Sequence, residues 1–186
     1  MINFEEAVEI ASIYHKGQKD LDGKPVLLHP LAVALIGNNE MERIVGVLHD
    51  VIEDTECSFT DLEKWGVSKN VINTLELLTH KEGQSCNEYL LGIITSGNIT
   101  ALNVKINDLR HNISRNNEDS NKKKIIKAKH KKALKKIENY LMANIKNTTI
   151  LYEPTISFST KTNIKWLSGK VLGMFFCFIV FCIFAL

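Results

Sequence analysis

The chain has almost no stretch in which apolar and polar residues alternate, and so lacks the signature of half-buried β-strands. It is poor in proline, with Pro25, Pro30 and Pro154 alone, so long segments run without a helix breaker. Its four cysteines, Cys57, Cys86, Cys177 and Cys182, form no Cys-x-x-Cys pair, which argues against a zinc ribbon or a disulfide framework. No internal repeat occurs. The first residues, Met1 to Glu6, are acidic rather than basic and apolar, so they do not read as a secretory signal. A reducing, cytoplasmic setting is the expectation for the body of the chain.

What is present is strongly asymmetric. Residues 1–119 carry ten Lys/Arg against nineteen Asp/Glu, a net charge of −9, while residues 120–186 carry thirteen against two, a net of +11. Helix signals recur through the acidic part. Asn3 with Glu6 reads as a capping box opening a helix to about His15. Leu31 to Ile36 reads as a short apolar helix, and Glu40 to Asp54 as a longer continuous one. Thr60 with Glu63 is a second box, Ser68 caps the next helix, and Ser85 with Glu88 is a third box. Helices over roughly 99–114 and 122–144 follow. Short loops between helices predict an all-α bundle over residues 1–146. Residues 147–165, rich in Thr, Ser and Asn, read as a linker.

The stretch His49-Asp50-Val51-Ile52-Glu53-Asp54 concentrates metal-ligand and acid–base side chains directly after the apolar run Ile44–Leu48. In a helix, residues three and four apart are neighbours, so the polar groups share one side. A polar cluster carried into an interior needs pairing or a metal. His29 and Asp108 lie in similarly apolar company. With His49 and Asp50 they make two imidazoles and two carboxylates, a donor set suited to manganese, iron or zinc. Glu53 and Asp54 remain as supporting or catalytic groups.

The order and spacing of His29, His49-Asp50 and Asp108 resemble the HD phosphohydrolase superfamily. The strings Gly23-Lys24-Pro25-Val26-Leu27-Leu28-His29-Pro30-Leu31-Ala32-Val33-Ala34, LHDVIEDT and VKINDLRHN look like the hydrolase domain of RelA/SpoT-type alarmone enzymes, and most like its small stand-alone versions. The resemblance covers about residues 1–145. It implies an HD-fold helical bundle in which His29, His49, Asp50 and Asp108 bind one manganese ion. It also implies that Glu53 and Asp54 position and deprotonate the attacking water, and that Asn112 contacts the nucleotide. The reaction it implies removes pyrophosphate from the ribose 3′ position of guanosine tetra- or pentaphosphate. No Gly-rich phosphate loop accompanies it, so hydrolysis without synthesis is the implied direction. The alternatives are an HD hydrolase of another nucleotide or phosphate ester, and a non-catalytic, membrane-tethered nucleotide sensor.

The departures from the family pattern fall on the substrate side. Alarmone hydrolases carry an Arg–Lys pair nine and eight residues before the first ligand His, where this chain has Asp20 and Leu21. Acids there repel an anionic nucleotide. Lys24 and Lys105, with Lys16 and Lys19, are the candidate replacements.

Residues 122–136 hold nine lysines and one histidine among apolar positions, as in a final core helix with a solvated lysine face. Without interleaved aromatics or a recognised module, no nucleic-acid partner is expected. The uncharged stretch 171–186 is long enough for roughly 24 Å of helix, and roughly 31 Å counted from Trp166. A hydrocarbon core of about 30 Å is then within reach, so residues 166–186 read as a transmembrane tail anchor that keeps the bundle at the cytoplasmic face. In that position the lysine helix faces anionic lipid.

Overall fold

The computed structural model describes residues 2–150. Of the expected linker at 147–165, residues 147–150 are helical, and the rest, like the expected tail anchor at 166–186, lies outside the described residues. Among the described residues there are nine α-helices and no strand, with one isolated bridge between Lys19 and Pro25. No helix among them is long and apolar enough to cross a membrane.

The helices are α1 (Phe4–Tyr14), α2 (Leu28–Leu35), α3 (Glu40–Leu48), α4 (Val51–Asp54), α5 (Phe59–Lys64), α6 (Lys69–Leu78), α7 (Cys86–Thr95), α8 (Ile99–Arg115) and α9 (Asn121–Ile150). Helix α3 is the axis of the bundle, packed by α1, α2, α6 and α8. Its apolar run is why: Val45, Val47 and Leu48 are fully buried, and Val51 continues the core past the helix end. Gly46 lets α2 come close, since a Cβ there would sit 3.0 Å from the Ala34 Cα and 3.2 Å from its nitrogen. Both groups are backbone, and neither can swing aside.

The helix starts are set by side chains. Asn3 with Glu6 and Ser85 with Glu88 close reciprocal capping boxes, and Ser68 caps α6, as expected. Three local features differ from the sequence reading. Helix α5 is capped by Ser58 with Asp61, not Thr60 with Glu63, because Ser58 is the last extended residue and Thr60 is already helical. Helix α2 begins at Leu28, three residues early, since Pro30 is tolerated in a first turn where no N–H is needed. The expected continuous helix from Glu40 to Asp54 is broken. Helix α3 ends at Leu48, Asp50 takes φ −92° and ψ −9°, and α4 restarts at Val51.

Candidate metal centre

The break after Leu48 carries the first two polar groups. His49 is the C-cap of α3, and its ring Nδ1 donates to the Gly46 carbonyl at 2.8 Å. That bond orients the ring and leaves Nε2 pointing inward. Asp50 follows in the turn between α3 and α4. His29 enters from the first turn of α2, and Asp108 from the middle of α8. All but Asp50 are buried, at 5–6% exposure.

These four side chains meet. One ligand-type atom from each of His29, His49 and Asp50 lies within 4.8 Å of the others. His29 Nε2 is 3.1 Å from Asp108 Oδ1 and 3.6 Å from Asp50 Oδ2. His49 Nε2 is 3.0 Å from Asp50 Oδ1 and 3.8 Å from Asp108 Oδ1. Donors about 2.1 Å from a common ion stand about 3.0–3.4 Å apart, depending on whether they subtend right or tetrahedral angles. The observed spacings are close to that. His49 Nε2 is also buried without a hydrogen-bond partner and faces only carboxylate oxygens, a setting suited to a cation. The donor set therefore fits a divalent cation.

Further groups hold these donors. His29 Nδ1 and His111 Nδ1 are 2.7 Å apart with the rings stacked, a contact that needs one proton between them. With the proton on His29, its Nε2 is free to ligate and His111 accepts. Burial lowers the His111 pKa and keeps it the neutral partner. Lys105 donates to Asp108 Oδ2 at 2.8 Å, with its ammonium 5.2 Å from the centre of the Tyr89 ring. Burial drives the Asp108 carboxyl up, but Lys105 and the neighbouring imidazoles overcome it and hold the pKa well below the carboxylate range. Burial opposes protonation of His49, yet Asp50 and Asp108 lift it to about 9.

Glu53 and Asp54 separate in the structure. The Glu53 carboxylate accepts the His80 backbone N–H, while Asp54 lines the adjacent cavity. The Asp54 backbone carbonyl is held by the Gln18 amide at 2.8 Å, and Gln18 in turn accepts from His15 Nδ1 at 2.8 Å. Desolvation raises both carboxyls; Asp50 raises them further, and the His80 bond works against this at Glu53.

The cavity beside the centre measures about 540 Å³. His29, Asp50 and Asp54 form its inner wall; Asp20, Leu21, Asp22 and Val26 come from the loop before α2, and Asn112, Arg115, Lys123 and His130 from α8 and α9. Asn112, expected at the nucleotide, donates to Asp108 and accepts from Arg115 Nε at 3.0 Å. Lys105, expected at the substrate, has its ammonium on Asp108, and Lys24 is exposed away from the cavity lining. The cavity cations are Lys19, Arg115 and Lys123.

Sequence reasoning missed His111, Arg115, Lys123 and His130. Helical spacing held a signal for the first two. His111 is one turn past Asp108, and Arg115 one turn past Asn112. Lys123 and His130 meet the cavity only through the packing of α9.

No family model matches the chain. It is 30% identical over 122 residues to the bifunctional (p)ppGpp synthase/hydrolase SpoT of Escherichia coli, an alignment covering 58% of this chain and 17% of that one. A guanosine-3′,5′-bis(diphosphate) 3′-pyrophosphohydrolase of Aquifex aeolicus is 30% identical over 118 residues, covering 59% and 17%. A GTP pyrophosphokinase of Streptomyces coelicolor is 41% identical over 64 residues, covering 32% and 8%. The chain thus spans less than a fifth of the length of these curated relatives. Among solved structures, a metazoan SpoT ortholog described as hydrolysing ppGpp superposes with a TM-score of 0.60 at 23% identity, covering 74% of this chain and 84% of that one. The chain resembles the hydrolase region of RelA/SpoT proteins. Its fold is the all-α HD-domain bundle. In that RelA/SpoT-like frame the His/Asp cluster at the head of α2, the end of α3 and the middle of α8 is a site able to hold a divalent metal.

Proposed function

We propose that the chain is a metal-dependent phosphohydrolase that removes the 3′-pyrophosphate from guanosine tetra- or pentaphosphate. The observation that carries this reading is the convergence of two imidazoles and two carboxylates around His49 Nε2, a buried nitrogen with no hydrogen-bond partner. His29, His49, Asp50 and Asp108 would hold the ion, manganese by the family resemblance; iron and zinc suit the same donors. A bound divalent ion lowers the pKa of water from about 15.7 toward 7 and offsets charge on a phosphate oxygen.

The chain's own residues do the rest. Asp54 faces the cavity and is the carboxylate placed to orient a water and accept its proton. Its raised pKa brings it nearer the range a general base needs. Glu53 is anchored on the His80 N–H and keeps the turn of α4 in place. Gln18 and His15 hold the same turn from the other side through the Asp54 carbonyl. The cavity lies directly against the inner wall of His29 and Asp50, and takes the nucleotide.

The experiment is a turnover screen of the manganese-loaded protein against guanosine tetraphosphate and a panel of other nucleotides, with Asp50→Ala as the control. Pyrophosphate release from guanosine tetraphosphate, lost in the control, is expected. Turnover of a different nucleotide would move the substrate assignment. Binding without turnover of any candidate would replace hydrolysis with sensing. The presence of Asp20 and Asp22 in the cavity wall favours testing less highly charged nucleotides beside the tetraphosphate. Residues 166–186 are read as a membrane anchor on hydropathy, and carbonate extraction of membranes carrying the full chain tests it; release into the supernatant would count against it.

A further inference from the structure

The cavity has a second charged corner that the hydrolase reading does not use. Arg115, at the end of α8, and Lys123, in the first turns of α9, both line it. Each meets an acid from the loop before α2. Arg115 Nη1 stands 3.4 Å from Asp20 Oδ2, and Lys123 Nζ bonds Asp22 Oδ1.

The two sides of this contact are built independently. Asp20 Oδ1 accepts the backbone N–H groups of Asp22 and Lys24 at 2.9 Å each, so the loop is shaped by its own side chain. Gly23 at φ +74° closes the turn. On the other side, Arg115 Nε is held by Asn112 Oδ1 at 3.0 Å, and the Asn112 amide donates to Asp108. Lys123 is tethered by Asp119 at 3.0 Å and Asn117 at 3.2 Å. The Arg115–Asp20 approach is longer than the 2.7–2.9 Å of a strong charge-assisted bond. Both cations therefore stay in place when the acid opposite them is exchanged for another anion. The Arg115 end is also tied, through one carboxamide, to the carboxylate of the metal centre.

We propose that Arg115 and Lys123 form a second anion subsite in this cavity, and that Asp20 and Asp22 are its built-in counter-anions, displaced when a phosphoryl group binds. The group comes from the substrate, at the end opposite the phosphates being cleaved; this assignment rests on the hydrolase reading, whereas the subsite does not. With Asp20, Asp22 and Asp119 in place the corner carries no excess positive charge. It admits an anion only in exchange, so affinity for a highly phosphorylated ligand is set by how firmly Asp20 and Asp22 hold.

Inorganic pyrophosphate is the probe. Its binding to the full-length protein is measured by calorimetry in EDTA, where no metal contributes. Arg115→Ala and Lys123→Ala are each expected to weaken binding about fivefold, the size of one partly exposed charge pair, and Asp22→Asn to tighten it by a similar factor. Shifts in opposite directions cannot come from misfolding. Wild-type protein that binds no pyrophosphate, or variants all within twofold of it, would overturn the subsite. Turnover of guanosine tetraphosphate is measured in parallel with manganese. Loss of that arm alone sinks the hydrolase reading and leaves the subsite standing. A flat pyrophosphate arm with intact turnover does the reverse.

Discussion

Replacing Lys105 with methionine removes the ammonium that compensates Asp108 and keeps most of the packing volume. Asp108 is 5% exposed, and Lys105 lies 2.8 Å from its Oδ2 with only a small part of its side chain in solvent. Breaking a buried pair from one side costs about 3–5 kcal/mol. The lower end applies, because Asp108 keeps His29 at 3.1 Å and the Asn112 amide. At about 2 kcal/mol per molar in urea, a loss of about 3 kcal/mol lowers the unfolding midpoint by about 1.5 M. The pH dependence gives a sharper signature. In the wild type Asp108 titrates well below its ordinary value, so its stabilisation is complete above the unfolded carboxylate pKa and fades as pH falls below it. In Lys105→Met the folded-state pKa rises, and that acid loss largely disappears. The gap between variant and wild type should therefore be full at pH 7 and narrow below about pH 4. Urea unfolding of the metal-free protein, followed by circular dichroism at both pH values, measures it. A gap below about 1 kcal/mol at pH 7, or one independent of pH, would refute the account of Lys105 as the counter-charge of Asp108.

Metal binding should release a proton from His49, which titrates at about 9 in the metal-free site. Below that pH the imidazole is protonated, so manganese affinity should rise about tenfold per pH unit between 6.5 and 8; competition titrations showing constant affinity would contradict this. His111→Ala removes the acceptor of the His29 Nδ1 proton and should weaken manganese binding about 10–100-fold with little change in helix content. Gly46→Ala pushes a methyl against the Ala34 backbone and should cost about 1–3 kcal/mol, read as a drop in melting temperature.

The bundle was largely legible because capping residues and apolar spacing are local. Asn3, Ser68 and Ser85 each announce a helix start within four residues. The ligand candidates were legible for a related reason: a histidine or aspartate inside an apolar run must be paired, and His29, His49 and Asp108 all lie in such runs. The break at His49–Asp50 was not legible. It pairs with a ring-to-carbonyl bond to Gly46, and the periodic pattern through Val51 and Ile52 gives no sign of it. Nor was the fate of Lys105, where a conspicuous basic residue proved to serve a carboxylate three positions along its own helix. The pairings of Asp20 with Arg115 and Asp22 with Lys123 span 95 and 101 residues, and no local pattern encodes a contact at that range.

Helix α8 holds Lys105, Asp108, His111, Asn112 and Arg115 within eleven consecutive residues. Because they share one rod, their relative bearings are fixed by helical register alone, and this limits how the gene can change. Inserting or deleting one codon inside this span turns everything downstream by about 100° and shifts it by about 1.5 Å. The carboxylate, its counter-charge, the stacked imidazole and the outer cation would then lose their mutual alignment in one event. The same change at Gly97, ahead of the helix, leaves the rod's internal order intact and asks only a turn to adjust. Length variation should therefore collect at the loops on either side of α8, while the stretch between Lys105 and Arg115 changes by substitution only.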